Sequence, residues 1–302
     1  MISIAARSLI QSNLLDIFIA AEGYLEQRRN ITYKKVSHAA IELTYGCNSS
    51  CPDCYIPKNL RTNHVMDESL LRRVIDQFRL NDIKSIGLLG GEPLMDTTVP
   101  TISRVAGDNP FTPFAIITNG RYIAENGIHK LEHMHNITYN VSIDGFSETN
   151  DLFRGNGSFD NVQQSFRVLR AKRKVYGSVT TLRKENLAEA TSKEFLDMLC
   201  KRGVQIAGFL KMKTISESMI SAEEFEEANR RMQPLISQYP MIIVFGGNGK
   251  GYSETKDYCY RSLYVNPKGD VRLSKVDLGE NLGNLAEQDL EHILKKIKTP
   301  SC

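Results

Sequence analysis

Between residues 38 and 210 the chain repeats one pattern six times: a short apolar run, then a longer amphipathic stretch. The apolar runs fall at 38–43 (HAAIEL), 84–89 (KSIGLL), 113–117 (PFAII), 137–143 (ITYNVSI), 175–182 (VYGSVTTL) and 203–210 (GVQIAGFL). Between them, the spacing predicts helices over 67–80, 97–106, 121–133, 158–173 and 187–202, with Asp67 and Ser158 as N-caps and Gly203 as a helix stop. Strands separated by helices cannot form hairpins, so they pair in parallel through right-handed crossovers. Six units are too few for a closed eight-stranded barrel. The fold expected is α/β, a partial (β/α)6 TIM-like barrel, with an open doubly wound sheet as the alternative. In either, the loops at the C-terminal ends of the strands build the site.

The ends of the chain have a different texture. Residues 1–36 read as an N-terminal helical extension, with Ile10, Leu14, Ile17, Phe18 and Leu25 on one side. Gln11, Ser12, Asn13 and Asp16 interrupt it, far short of the roughly 20 apolar residues of a membrane span. It is read as packed on the domain; peripheral membrane contact is the alternative. The core is assigned to 37–239. Residues 240–302 form a small α+β extension, with a loop-like stretch, a hairpin turning at Pro267–Asp270 and a closing helix in "LAEQDLEHILKKIK".

A formal net charge of +3 on 302 residues does not argue for nucleic-acid binding. The densest basic run, 167–174 (RVLRAKRK), sits where a solvated helix end is expected. Six cysteines could frame disulfides, but Cys47, Cys51 and Cys54 lie within eight residues, and no secretory signal precedes them. A reducing, cytoplasmic setting fits that placement better.

"CNSSCPDCY" follows the first predicted strand directly, which puts three thiols at the site rim. Structural zinc takes four ligands, commonly as two pairs. Here the spacing is C-x3-C-x2-C, and only His38 or His64 offers a fourth. Three thiolates instead suit a 4Fe–4S cubane with one iron left open to a reactant.

Together with "LLGGEPLM" (88–95), "IITNG" (116–120), "NVSIDG" (140–145) and "TTLRKEN" (180–186), each at a strand end, this segment resembles the radical S-adenosylmethionine (radical SAM) superfamily. The resemblance implies that Cys47, Cys51 and Cys54 hold one 4Fe–4S cluster. S-adenosylmethionine would chelate the open iron and be cleaved reductively, and the 5′-deoxyadenosyl radical would abstract hydrogen from a substrate. Gly90 and Gly91 would let the backbone approach a ligand, and the Glu92 carboxylate would accept from the methionine ammonium. Thr118 and Asn119 would bond cofactor or substrate, or Asn119–Gly120 is simply a turn. Ser142 and Asp144 share one strand-end face and suit ribose hydroxyls, although Asp144 can instead cap the next segment. Arg183 would pair with a carboxylate of cofactor or substrate, and Tyr55 and Leu210 would flank the adenine. No catalytic acid or base is assigned. One departure stands out: the position before the third cysteine is often aromatic in the family, and here it is Asp53.

The C-terminal segment resembles the Twitch or SPASM extension in Cys259, the hairpin "LYVNPKGDVRLS", "LGNL" (282–285) and Cys302. The family's cysteine after "GDV" is replaced by Ser274, so a degenerate extension without a second cluster is expected. Cys200 is read as an inert core thiol. The reading is a cytoplasmic radical SAM enzyme served by a flavodoxin- or ferredoxin-type electron donor. Because 36 N-terminal residues are short for a leader-peptide domain, the expected substrate is a small polar metabolite such as a sugar or nucleoside. The alternatives are a peptide-modifying maturase and a non-catalytic zinc or iron–sulfur scaffold.

Overall fold

The computed structural model describes residues 38–83, 85–212, 217–246, 262–273 and 280–296. The predicted N-terminal helix, Cys259, Ser274 and Cys302 lie outside the described residues. All six expected strands form: β1 His38–Thr44, β2 Ser85–Gly90, β3 Phe114–Thr118, β4 Ile137–Ser142, β5 Tyr176–Leu182 and β6 Ile206–Lys211. They pair in parallel in sequence order. The fold is α/β with a parallel sheet.

Two further strands extend that sheet at opposite ends. β7, Ile242–Gly246, pairs in parallel with β6, and β8, Ser262–Val265, pairs in parallel with β1. Ile41 therefore faces Leu88 on one side and Val265 on the other. β8 turns into β9, Asp270–Arg272, as the expected antiparallel hairpin, and β10, Gly283–Asn284, pairs with β9. The sheet runs β10-β9-β8-β1-β2-β3-β4-β5-β6-β7. Strand β7, "IIVFG", carries no polar alternation, so the periodicity did not single it out.

Along each parallel strand, alternate side chains face the helices and the concave side. Ile41, Leu88, Ile116, Tyr139, Val141 and Phe209 are among those joined to the helices in one core. Helix α1, Glu68–Leu80, buries Leu71, Val74, Ile75 and Phe78, a spacing of three and four that makes one stripe. Asp67 stands at its N-cap position in extended backbone, without a side-chain cap hydrogen bond. The next helices are α2 Val99–Asp108, α3 Arg121–Asn126, α4 Ser147–Arg154 and α5 Ser158–Ala171. Then come α6 Leu187–Ala190, α7 Lys193–Lys201, α8 Ala222–Ile236 and α9 Leu290–Lys295.

Five details correct the helix expectations. Helix α8 was not expected, and the stretch expected as one helix over 187–202 divides into α6 and α7. The stretch expected as a helix over 121–133 is α3 followed by a separate 3-10 turn at His129–Leu131. Gly157, at φ 77°, occupies the N-cap of α5, and Ser158 is its first residue. Helix α4 was not expected; it buries only Asn150 and Phe153, a single-turn signal too short for periodicity to register. Gly203 does follow α7, at φ 82°. Cys200 on α7 is half-buried against the core. Among the described residues, no helix is long and apolar enough to cross a membrane.

Candidate active site

The three cysteines lie on the loop that leaves β1, and main-chain contacts to the end of β2 hold the start of that loop. The Gly91 N–H donates to Thr44 O at 2.7 Å and the Glu92 N–H to Gly46 O at 2.9 Å. The glycines at 90 and 91 are what make this contact possible. Gly90 sits at φ 133°, and a Cβ there would lie 2.3 Å from Thr44 O; one on Gly91 would lie 2.0 Å from Gly46 O. The partner they approach is the chain itself at 44–46. Tyr55, just past the third cysteine, donates its hydroxyl to Gly90 O at 2.9 Å and ties the far end of the loop to the same turn.

Glu92 joins β2 to β3. Its Oε1 accepts from the Thr118 hydroxyl at 2.7 Å and the Leu94 N–H at 2.8 Å, and its Oε2 from the Asn119 N–H at 2.7 Å. The carboxyl is 1% exposed. Burial pushes its pKa up to about 7, against the pull of the Asn119, Thr118 and Leu94 hydrogen bonds. Asn119 reaches back to the cysteine loop: its Nδ2 donates to Asn48 Oδ1 at 2.7 Å and Ser49 Oγ at 3.2 Å, and lies 3.9 Å from Cys47 Sγ. The structure thus brings Cys47, Cys51, Cys54, Tyr55, Gly90, Gly91, Glu92, Thr118 and Asn119 together in one stretch of the rim.

On the β4–β5 side the unit is ionic. Asp144 Oδ2 lies 2.9 Å from Arg154 Nε and 3.3 Å from an Arg183 terminal nitrogen, and Oδ1 accepts from the Thr181 N–H at 2.8 Å. The other terminal nitrogen of Arg183 lies 3.3 Å from Asp53 Oδ2. Asn186, buried, donates to Asp144 O and Thr181 O and accepts from the Arg183 N–H. Asp144 and Arg183 are thus engaged with charges of the chain itself. Ser142 closes β4, buried, and Leu210 on β6 stands in register with Thr181.

Arg154 and Asp53 were not expected at the site. Arg154 ends α4, a helix that periodicity did not reveal. It lines a cleft of about 190 Å³ with Asn48, Ser49, Cys51, Asn119 and Asn161. Burial raises the Cys51 thiol pKa, and the nearby Arg154 charge works against that rise.

The donor set fits a cluster held by three thiolates. Burial pushes the Cys47 thiol up to about 11, opposed by the Ser49 N–H and assisted by the charges of Glu92, Cys51 and Cys54. Such a thiol stays protonated at neutral pH until a metal cation replaces its proton. Among the described residues no three His, Cys, Asp or Glu side chains gather around a single ion-sized point, and His64 is exposed. A cubane asks for another geometry, in which each thiolate reaches its own iron.

Residues 41–196, just over half of the chain, match the family model described as "Radical SAM superfamily". The chain belongs to the radical SAM superfamily. That family implies a 4Fe–4S cluster and S-adenosylmethionine. Among curated relatives, the chain is 27% identical over 138 residues to the sporulation killing factor maturation protein SkfB of Bacillus subtilis, covering 44% of this chain and 33% of the relative. It is 22% identical over 264 residues to the antilisterial bacteriocin subtilosin biosynthesis protein AlbA of the same organism, covering 85% and 59%. The chain thus spans between a third and three-fifths of the length of these two relatives. Among solved structures it resembles Streptococcus suis SuiB bound to S-adenosylmethionine, with a TM-score of 0.75 at 15% identity, covering 91% of this chain and 69% of SuiB. SuiB has also been solved bound to its precursor peptide SuiA.

Proposed function

We propose that this radical SAM protein is a peptide-modifying enzyme in which Cys47, Cys51 and Cys54 hold the 4Fe–4S cluster. The observation that carries the cofactor assignment is the single hydrogen-bonded unit joining the cysteine loop to Gly90, Glu92 and Asn119. When bound, the cluster and S-adenosylmethionine supply an electron transfer that cleaves the sulfonium and yields a 5′-deoxyadenosyl radical able to abstract hydrogen from a substrate. The chain's own residues position and shield. The Gly90–Gly91 turn fixes where the loop begins, and Tyr55 fixes where it ends. Asn119 holds Asn48 and Ser49 beside Cys47. Arg154 brings a positive charge to the cleft beside Cys51, where an anionic group is favoured. Ser142 and Leu210, at the ends of β4 and β6, are offered as contacts on the nucleoside side.

A peptide substrate is preferred to the small polar metabolite. It rests on likeness to SuiB, solved with a precursor peptide, and on the maturation and biosynthesis proteins SkfB and AlbA. The C-terminal hairpin is read as a Twitch-like extension without a second cluster, and a flavodoxin-type protein as the electron donor.

Anaerobic reconstitution with dithionite and S-adenosylmethionine tests this directly. Wild type is expected to form 5′-deoxyadenosine and Cys51→Ala is not. With a deuterated candidate peptide, deuterium should appear in the 5′-deoxyadenosine. A wild type that carries a cluster yet makes no more 5′-deoxyadenosine than Cys51→Ala, with peptides and metabolites supplied, sinks the catalytic reading.

A further inference from the structure

The residue before Cys54 is Asp53, where the family resemblance leads one to expect an aromatic ring. Its carboxylate lies 3.3 Å from one end of the Arg183 fork, while the other end lies 3.3 Å from Asp144. Arg183 is held as a rigid plane: its Cζ lies 4.1 Å over the Phe153 ring, and its side chain is only 6% exposed. Its Nε is buried without a hydrogen-bond partner, a cost the fork geometry carries. Asp144 in turn pairs with Arg154 at 2.9 Å. Asp53, Arg183, Asp144 and Arg154 form a row of alternating charges that sums to zero. The row begins beside Cys54 and ends in the cleft beside Cys51.

We propose that Asp53 and Arg183 are paired positioning residues. They brace the third-cysteine arm of the loop against the β4–β5 rim, and by cancelling each other's charge they set the reduction potential of the cluster that Cys54 helps to hold. This rests on the cluster assignment above. Iron–sulfur potentials respond to nearby net charge, because reduction adds a negative charge that neighbouring cations stabilise and neighbouring anions oppose. Asp53 is 26% exposed on its side chain and Arg183 is nearly enclosed, so solvent screens the pair only in part. An aromatic residue at 53 would carry no charge and would leave Arg183 to Asp144 alone.

The experiment is a reductive titration of the reconstituted full chain, followed by electron paramagnetic resonance without S-adenosylmethionine. Asp53→Asn leaves the Arg183 charge uncancelled and is expected to raise the midpoint potential. Arg183→Met leaves Asp53 uncancelled and is expected to lower it, and the double variant should return close to wild type. A merely structural pair would not give shifts of opposite sign that cancel. If Arg183→Met does not fold, Asp53→Asn and Arg183→Lys decide the matter: the first should shift the potential, and the second, which keeps the charge, should not. An unchanged potential in Asp53→Asn with a wild-type cluster overturns the inference alone. A wild type that binds no cluster at all overturns the assignment beneath it, and the inference with it.

Discussion

On the β1–β3 side of the rim, the start of the cysteine loop is fixed by main-chain groups against main-chain groups, with a Gly91 Cβ position only 2.0 Å from Gly46 O. On the β4–β5 side, the same cysteine loop is held by long side chains, at separations of 2.9 to 3.3 Å, between residues as distant as Asp53 and Arg183. The difference is one of tolerance. Backbone contacts at van der Waals limits admit one residue type and no displacement. Ion pairs accept small shifts, can be retuned by one substitution and act at a distance. The side that must fix the loop in place uses the first kind of contact, and the side that adjusts its electrostatics uses the second.

The sharpest way to break the backbone side is Gly91→Ala. Its added methyl meets main chain, which cannot swing away, so a loss of about 4 kcal/mol in the metal-free protein is expected. Gly87→Ala is the control: its nearest neighbour would be the Ala40 methyl at 3.6 Å, an ordinary contact. Chemical denaturation of both variants checks the contrast; equal losses would undo it. Next in size is the pH response of Glu92. Its folded pKa of about 7 stands above the ordinary carboxyl value of 4.5. The folded state therefore binds the extra proton, and stability falls as pH rises from 4.5 through about 7, by roughly 3 kcal/mol at most. Measured in the metal-free chain, Glu92→Gln should lack this component of the slope, whatever its absolute stability.

What could be read in advance follows the same division. The backbone side is written in short local strings, because GGE and TNG place their residues by adjacency and strand ends place the strings together. The parallel sheet was legible for a similar reason, each unit being a run of one periodicity. The ionic side joins residues 53, 144, 154 and 183, and no spacing rule ties a loop aspartate to an arginine 130 positions later. Arg154 was hidden twice over, since its helix buries only Asn150 and Phe153 and its partner, Asp144, looked free to bind ribose. Conformational freedom at the glycines is visible in a sequence, whereas their close approach to Thr44 and Gly46 of the chain itself is not.

The ionic side gives smaller effects. Arg154→Met removes one of the two cations facing buried Asp144. Arg183 still pairs with that carboxylate and Arg154 is 17% exposed, so a loss of about 2 kcal/mol is expected, below the range for fully breaking a buried pair. If Arg154→Met cost more than Gly91→Ala, the division between fixing and tuning sides would be inverted.

Asn119→Ala probes the seam between the two. The variant keeps the Asn119 N–H bond to Glu92, because that donor is main chain, and loses the side-chain bonds to Asn48, Ser49 and the Arg121 N–H together with the long contact to Cys47 Sγ. Both loop partners are half-buried and can turn to water, so the stability loss should be about 1 kcal/mol. The informative quantity is the reactivity of Cys47, which Asn119 Nδ2 approaches at 3.9 Å. If the side chain keeps the first arm of the loop folded, alkylation of Cys47 in the metal-free protein should quicken in Asn119→Ala while Cys54, anchored through Tyr55, keeps its rate. Equal acceleration at both thiols would mean that the loop moves as one body, and that its two anchors are not independent.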